Sequence, residues 1–272
     1  MKRPALTHPA PTPHGIVTRD PWQRLRQLTQ ARVALGRSGV SLPTEEVLRF
    51  GLAHAQARDA VHQPLDVSAL QNALQDAGFT TMAVESRARD RSAYLRRPDW
   101  GRRLSADSLA LLHQGGESLW GPRPPLVFVV ADGLSSLAVQ RHTLALLLAL
   151  GPYLDGLRAL PVVVATQARV ALGDEIGECL GAEQVVVLVG ERPGLSSPDS
   201  LGIYLTHHPR VGATDADRNC ISNVRPEGLD YAAAARKLAF LIAGARRLGR
   251  SGVELKDDSD SLPPGQVFAA LG

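Results

Sequence analysis

Between Pro124 and Gly190 three short, nearly unbroken apolar runs, PPLVFVVADG, PVVVAT and QVVVLVG, alternate with two stretches of helical character. A run that is apolar at every position must be buried on both faces, and strands of that kind belong to parallel sheets whose crossovers are helices. Ser136 is placed to cap the first crossover helix, which stops at Gly151 and Pro152; the second spans about Val170 to Leu180. The order β-α-β-α-β at these spacings predicts an α/β chain with a Rossmann-like parallel-sheet domain over residues 121–272, closed by a helix from Leu229 to Leu248.

Ahead of it the pattern is helical. Asp20, Pro21 and Gln23 stand where a helix N-terminus wants an N-cap, a residue with no N–H to satisfy and a reciprocal cap, and Gly36 can end that helix. Leu25, Leu28 and Leu35 would be its apolar stripe. A second helix should follow Pro43, with Glu45 and Glu46 in its first turn and Val47, Leu48, Leu52 and Ala55 facing inward. A third runs from Asp66 to Ala77 and stops at Gly78, and Ser105 caps a fourth. Residues 20–120 therefore read as a mostly helical region. Residues 1–19, with prolines at 4, 9, 11 and 13, read as a flexible arm.

Composition removes whole classes of function. At 44% apolar and 21% charged residues the chain is globular. No apolar run reaches the roughly 18 to 20 residues that cross a bilayer, and the N-terminus lacks the apolar stretch of a secretion signal. Thirty basic against 27 acidic residues leave a net charge of +3, too little to drive binding to nucleic acid. Arg87, Arg89, Arg91, Arg96, Arg97, Arg102 and Arg103 form one local concentration, read as a surface segment or subunit contact that tolerates change. Cys179 and Cys220 read as free thiols of a reducing cytosol. The eight histidines show neither H-E-x-x-H nor a Cys-His set, so no metal site is expected, and G-x-S-x-G is absent.

In an open parallel sheet, ligands lie beyond the carboxyl ends of the strands, so three strand exits are the places to search. ADGLSS at 131–136 offers a glycine and two hydroxyls at a helix start, a fair seat for a phosphate or carboxylate. It is not G-x-G-x-x-G, and no G-x-x-x-x-G-K-[ST] occurs, which disfavours a dinucleotide or a P-loop nucleotide. The second exit puts Arg169 and Val170 at a helix start with unpaired N–H groups. The third puts Glu191 and Arg192 directly behind an apolar strand, fixed by Pro193 and Gly194; the bland alternative is that the two satisfy each other at a polar rim. Downstream, Asp215, Asp217, Arg218, Asn219, Cys220 and Asn223 crowd into what reads as a capped loop. Cys220 beside Arg218 would be an activated thiol on spacing alone.

The segments LTQARVALGRSGVSLPTEEVLRFGLAHAQARDAV (28–61), VGERPGLSSPDSLGIYLT, ATDADRNCISNVRPEGLDYAAAARKL and SGVELKD resemble the small subunit of ethanolamine ammonia-lyase, and the resemblance spans about Thr29 to Asp257. It implies a large barrel subunit as partner, docked by the helical region 20–120, adenosylcobalamin as cofactor, and conversion of ethanolamine to acetaldehyde and ammonia by radical chemistry. It implies further that this chain receives the nucleotide tail and lower face of the corrinoid, with contacts at Val170, Glu191 and Cys220, joined by Arg169 and Arg192. D-x-H-x-x-G is absent, the nearest string being Asp59 to His62, so the cofactor is expected to keep its own base on cobalt. Catalytic groups are expected on the partner and none on this chain. The location implied is cytoplasmic, with a bacterial microcompartment open, although the arm's prolines oppose an amphipathic targeting helix. The alternatives are a nucleotide-binding oxidoreductase domain, disfavoured by ADGLSS, and a binding module acting through the arginine segment.

Overall fold

The computed structural model describes residues 16–29 and 31–261. In chain order it contains α1 (Thr44–His62), α2 (Val67–Asp76), β1 (Thr81–Glu85), α3 (Arg91–Arg96), α4 (Ala106–Trp120) and β2 (Leu126–Ala131). There follow α5 (Ser136–Leu150), β3 (Val162–Thr166), α6 (Val170–Cys179), β4 (Gln184–Gly190), β5 (Leu201–His207), β6 (Arg218–Val224) and α7 (Tyr231–Leu248). The chain divides into two compact units, Met1–Ala57 and Arg58–Gly272.

The second unit is built on a six-stranded sheet in the order β1-β3-β2-β4-β5-β6. The three apolar runs form β2, β3 and β4, which pair in parallel with Val129 opposite both Val163 and Val187. Their successive residues feed two opposite cores, as strands buried on both faces must. Leu126, Phe128, Val130, Val162, Val164, Val186 and Leu188 pack with residues of α5 and α7 on one face. Val127, Val129, Val163, Ala165, Val185 and Val187 pack with Leu112 of α4 and with Leu172 and Ile176 of α6 on the other. The α/β expectation holds, but the sheet is mixed: β1 adds a fourth parallel strand beside β3, while β5 pairs antiparallel with β4 and β6 antiparallel with β5. Thus the sheet begins at Thr81, within the stretch read as helical.

Local caps acted where expected. Asp66 Oδ1 accepts from Ala69 N at 2.9 Å and Ser105 Oγ from Ser108 N at 3.2 Å. The cap of α5 is Ser135, one residue before the serine chosen from sequence, with Ala138 N donating to it at 3.3 Å.

In the first unit, the helix expected from Asp20 to Gly36 does not form. Asp20 does bind Trp22 N at 2.8 Å, but only a 3-10 turn, Gln23–Gln27, follows, and none of its residues is buried. Capping starts a helix; without a surface to bury Leu25 and Leu28, nothing extends it. Three of the four residues expected to face inward on α1 do not, because Val47, Leu48 and Leu52 are 51%, 68% and 62% exposed, while Ala55 is half-buried and Ala53 buried. The Pro-rich arm lies mostly at residues 1–15, outside the described residues.

Among the described residues no helix is long and apolar enough to cross a membrane, and no cluster of three metal-ligating side chains occurs.

Candidate functional site

The exit of β2 is filled by the protein itself. Asp132, 1% exposed, accepts from Gln167 N and Ala168 N, each at 2.9 Å, and from Arg91 Nη1 at 3.3 Å. Burial pushes its carboxyl above the ordinary value against the pull of those donors. Leu134 N donates to Gly190 O at 2.9 Å, Ser135 Oγ donates to Pro198 O at 2.9 Å, and Ser136 Oγ donates to Gln63 O. A Cβ on Gly133 would sit 2.2 Å from Gly190 O, so the exits of β2 and β4 touch backbone to backbone. Both hydroxyls that ADGLSS offered to an anion are therefore spent on carbonyls of the protein itself.

The exit of β3 is different. Gln167 takes a left-handed conformation (φ +53°), a strain that persists at such a position only when its surroundings enforce it. Here Asp132 holds its N–H. Arg169 follows as the N-cap of α6, with no side chain capping the first turn. Its guanidinium lies over the ring of Tyr94, 4.5 Å from the centroid, and its Nε is buried with no hydrogen-bond partner.

Beside it lies a cavity of about 480 Å³ whose walls include Arg102, Arg169, Val170, Tyr204, Asp215 and Arg218. Tyr204 connects this cavity to the other two expected contacts. It stands opposite Cys220 in the β5–β6 ladder. A Cβ on its neighbour Gly202 would lie 3.1 Å from Glu191 Oε1 and 3.4 Å from the Tyr204 ring, so the carboxylate and the phenol flank one glycine. Val170, Glu191 and Cys220 are thus brought together around a tyrosine that sequence reasoning passed over. The signal was present as alternation: Leu201, Ile203 and Leu205 are buried, while Gly202 and Tyr204 occupy the opposite face.

Glu191 does not pair with Arg192. Both its carboxylate oxygens accept from Asn223 N, at 3.3 and 3.2 Å, and Arg192 is exposed with no side-chain partner among the described residues. Asn223 can present that N–H because it too is left-handed (φ +59°).

Cys220 is not in a loop, as its polar neighbours implied, but in β6, on a face left exposed where α6 packs over β2 and β4. Only the first part of that stretch is the expected capped turn, with Thr214 N and Oγ1 donating to Asp217 Oδ2 at 2.7 and 2.9 Å. Desolvation, with Glu191 and Asp215 nearby, lifts the Cys220 thiol above its usual value despite the opposing hydrogen bond from Tyr204. The residue is a neutral thiol and not an activated one. Burial first, then the bond to Cys220, raises Tyr204 as well, so its hydroxyl remains protonated.

The arginine segment is less superficial than expected. Tyr94 is fully buried with its hydroxyl donating to Ala168 O at 3.2 Å, and Arg91 also donates to Gly133 O at 2.8 Å. Arg103 binds Glu175 through Nε and Nη2 at 3.0 and 2.8 Å. These bonds fasten the segment to the exits of β2 and β3 and deliver Arg102 to the cavity, a placement that no sequence pattern marked.

The model of the ethanolamine ammonia-lyase light chain family matches residues 19–256. The ethanolamine ammonia-lyase small subunit of Ralstonia nicotianae is 56% identical over 254 residues, covering 90% of this chain and 92% of its own. That of Azotobacter vinelandii is 57% identical over 245 residues, with 89% and 90% covered. That of Pseudomonas putida is 52% identical over 257 residues, with 94% and 92% covered. The matched span contains the β3 exit, Glu191 and the β5–β6 face, and the chain belongs to the ethanolamine ammonia-lyase small-subunit family.

Proposed function

We propose that this chain works as the small subunit of an adenosylcobalamin-dependent ethanolamine ammonia-lyase, joined to a large barrel subunit, and that it holds the nucleotide tail and lower face of the cofactor. The observation that carries the reading is the convergence of Val170, Glu191 and Cys220 around Tyr204, on an uncovered sheet face beside a cavity. Three further features suit the group. Arg169 Nε is buried and lacks an acceptor, which a ligand oxygen would supply. Glu191, held among the described residues by one backbone N–H, keeps acceptor capacity for the amide donors that fringe a corrin. The protonated Tyr204 and Cys220 add neutral polar contacts to a broad surface.

Adenosylcobalamin, when bound, supplies radical chemistry on the face turned towards the partner. This chain's residues bind and orient the opposite face and keep water from it. No catalytic acid, base or nucleophile is assigned here: the raised thiol of Cys220 and the raised hydroxyl of Tyr204 suit neither proton abstraction nor attack near neutral pH. This chain carries no D-x-H-x-x-G, so none of its residues would displace the cofactor's own base from cobalt. In the first unit, Val47, Leu48, Phe50 and Leu52 of α1 are exposed apolar side chains that suit burial against the large subunit.

Co-expression with a large subunit, followed by assay of ethanolamine deamination with and without adenosylcobalamin, tests the reading. Activity is expected only from the complex with cofactor; turnover by the isolated chain would refute the division of labour.

A further inference from the structure

The cavity at the start of α6 carries more positive charge than its surroundings neutralise. The charge of Arg218 is already paired, its Nη atoms binding Asp174, Asp215 at 2.9 Å and Ala213 O at 2.9 Å. Arg102 and Arg169 are not. Each lines the cavity, and among the described residues neither has a carboxylate partner or a side-chain hydrogen bond. Asp215, the acidic residue of that wall, is already paired with Arg218.

The fold holds the guanidinium of Arg169 and the backbone of Arg102 in place. Arg169 is stacked on the fully buried Tyr94, which fixes the plane of its guanidinium. Arg102 follows Gly101, whose carbonyl accepts Arg169 N at 2.8 Å, so the two arginines are tied together through one backbone bond. A Cβ on Gly101 would come within 2.8 Å of the Tyr94 ring, so this turn packs tightly against the same aromatic. The stacked guanidinium of Arg169 loses little freedom on meeting a ligand, the Arg102 backbone is fixed beside it, and the forked donors of both match tetrahedral oxyanions. The uncapped first turn of α6, with Val170 and Ala171 on the cavity wall, adds favourable partial charge.

We propose that Arg102 and Arg169 form the subsite for the phosphodiester of the cofactor's nucleotide tail. The inference rests on the tail-holding role argued above and assigns one chemical group of the tail to two named residues. A phosphodiester carries one permanent negative charge near neutral pH, and arginine does not titrate there, so this contact is independent of pH.

Cobinamide, which has the corrin ring but lacks the phosphodiester, ribose and base, isolates the contribution. Equilibrium dialysis of cyanocobalamin and dicyanocobinamide against the complex with the large subunit gives both affinities without turnover. The native complex should prefer cobalamin. Arg102→Gln and Arg169→Gln should each weaken cobalamin about tenfold and leave cobinamide within about twofold, as expected for loss of one charge-assisted hydrogen bond. Added salt should weaken cobalamin more than cobinamide. Arg102 is exposed, so its substitution tests the proposal even where a change at Arg169 disturbs packing on Tyr94. Equal weakening of both ligands, or unchanged cobalamin affinity, overturns the phosphodiester assignment. A native complex that binds the two corrinoids equally would instead overturn the tail-holding role itself.

Discussion

The exits of β2 and β3 start alike, each an apolar strand running into a polar turn and then a helix, yet one is closed and the other open. Behind β2, Asp132 binds the backbone of Gln167 and Ala168, and Leu134 reaches across to Gly190. Behind β3, Arg169 is left with a buried Nε and no acceptor, next to a cavity. A polar residue at a strand exit is therefore no guide to ligand binding until its hydrogen bonds have been counted. The closed exit serves the open one, because the carboxylate that seals β2 holds the strained Gln167 from which Arg169 follows.

The sharpest way to break this comparison is Asp132→Ala. It would leave Arg91 without its buried carboxylate and two backbone N–H groups without acceptors, and is expected to cost about 3 to 5 kcal/mol in chemical denaturation. A loss near zero would mean that the β2 exit is not the structural clamp described. Glu191→Gln acts on the other side. It keeps one acceptor for Asn223 N, so stability should change by at most about 1 kcal/mol, while cofactor affinity in the assembled enzyme falls roughly ten- to a hundredfold. An unchanged affinity in an intact complex would remove Glu191 from the site.

A smaller effect comes from His142 on α5, the helix leaving the closed exit. Its Nδ1 lies 2.8 Å from Tyr231 Oη and its Nε2 3.7 Å from Asp199, in the connection that leaves β4. Burial lowers its pKa, opposed by Asp199 and assisted by Arg141. Burial likewise lowers His207, helped by the neighbouring His208. The folded state thus binds these protons less readily than the unfolded chain, so stability is complete above the ordinary histidine value of about 6.5 and declines as pH falls below it. Unfolding curves between neutral and mildly acid pH should show that decline, and His142→Gln should reduce it. A native profile flat through this range would contradict the buried, neutral state of both rings.

The three central strands were legible because burial on both faces leaves no polar position to confuse the pattern. The caps of α2 and α4 were legible because capping is a contact within one turn. What escaped detection depended on distant partners. Arg218–Val224 carries Asn219, Cys220, Ser222 and Asn223, and only pairing with β5 makes a strand of it. The 20–36 helix had a sound start signal and no core to meet. Among site residues, Val170, Arg169 and Glu191 stood out as strand-exit positions, and the family resemblance supplied Cys220. Tyr204 was concealed by its ordinary place in an alternating strand, and Arg102 by six neighbouring arginines with other duties.

The contact between Gly133 and Gly190 also limits what descendants of this sheet can become. A Cβ on Gly190 would lie 2.0 Å from Ser135 O, just as one on Gly133 would meet Gly190 O, so neither position can accept a side chain without moving a strand exit. Admitting a phosphate between residues 131–136 and Gly190 would require parting β2 from β4 at this contact. Innovation by point substitution is steered instead to the wall lined by Arg102, Tyr204 and Asp215, where side chains can change one at a time while the strands stay together.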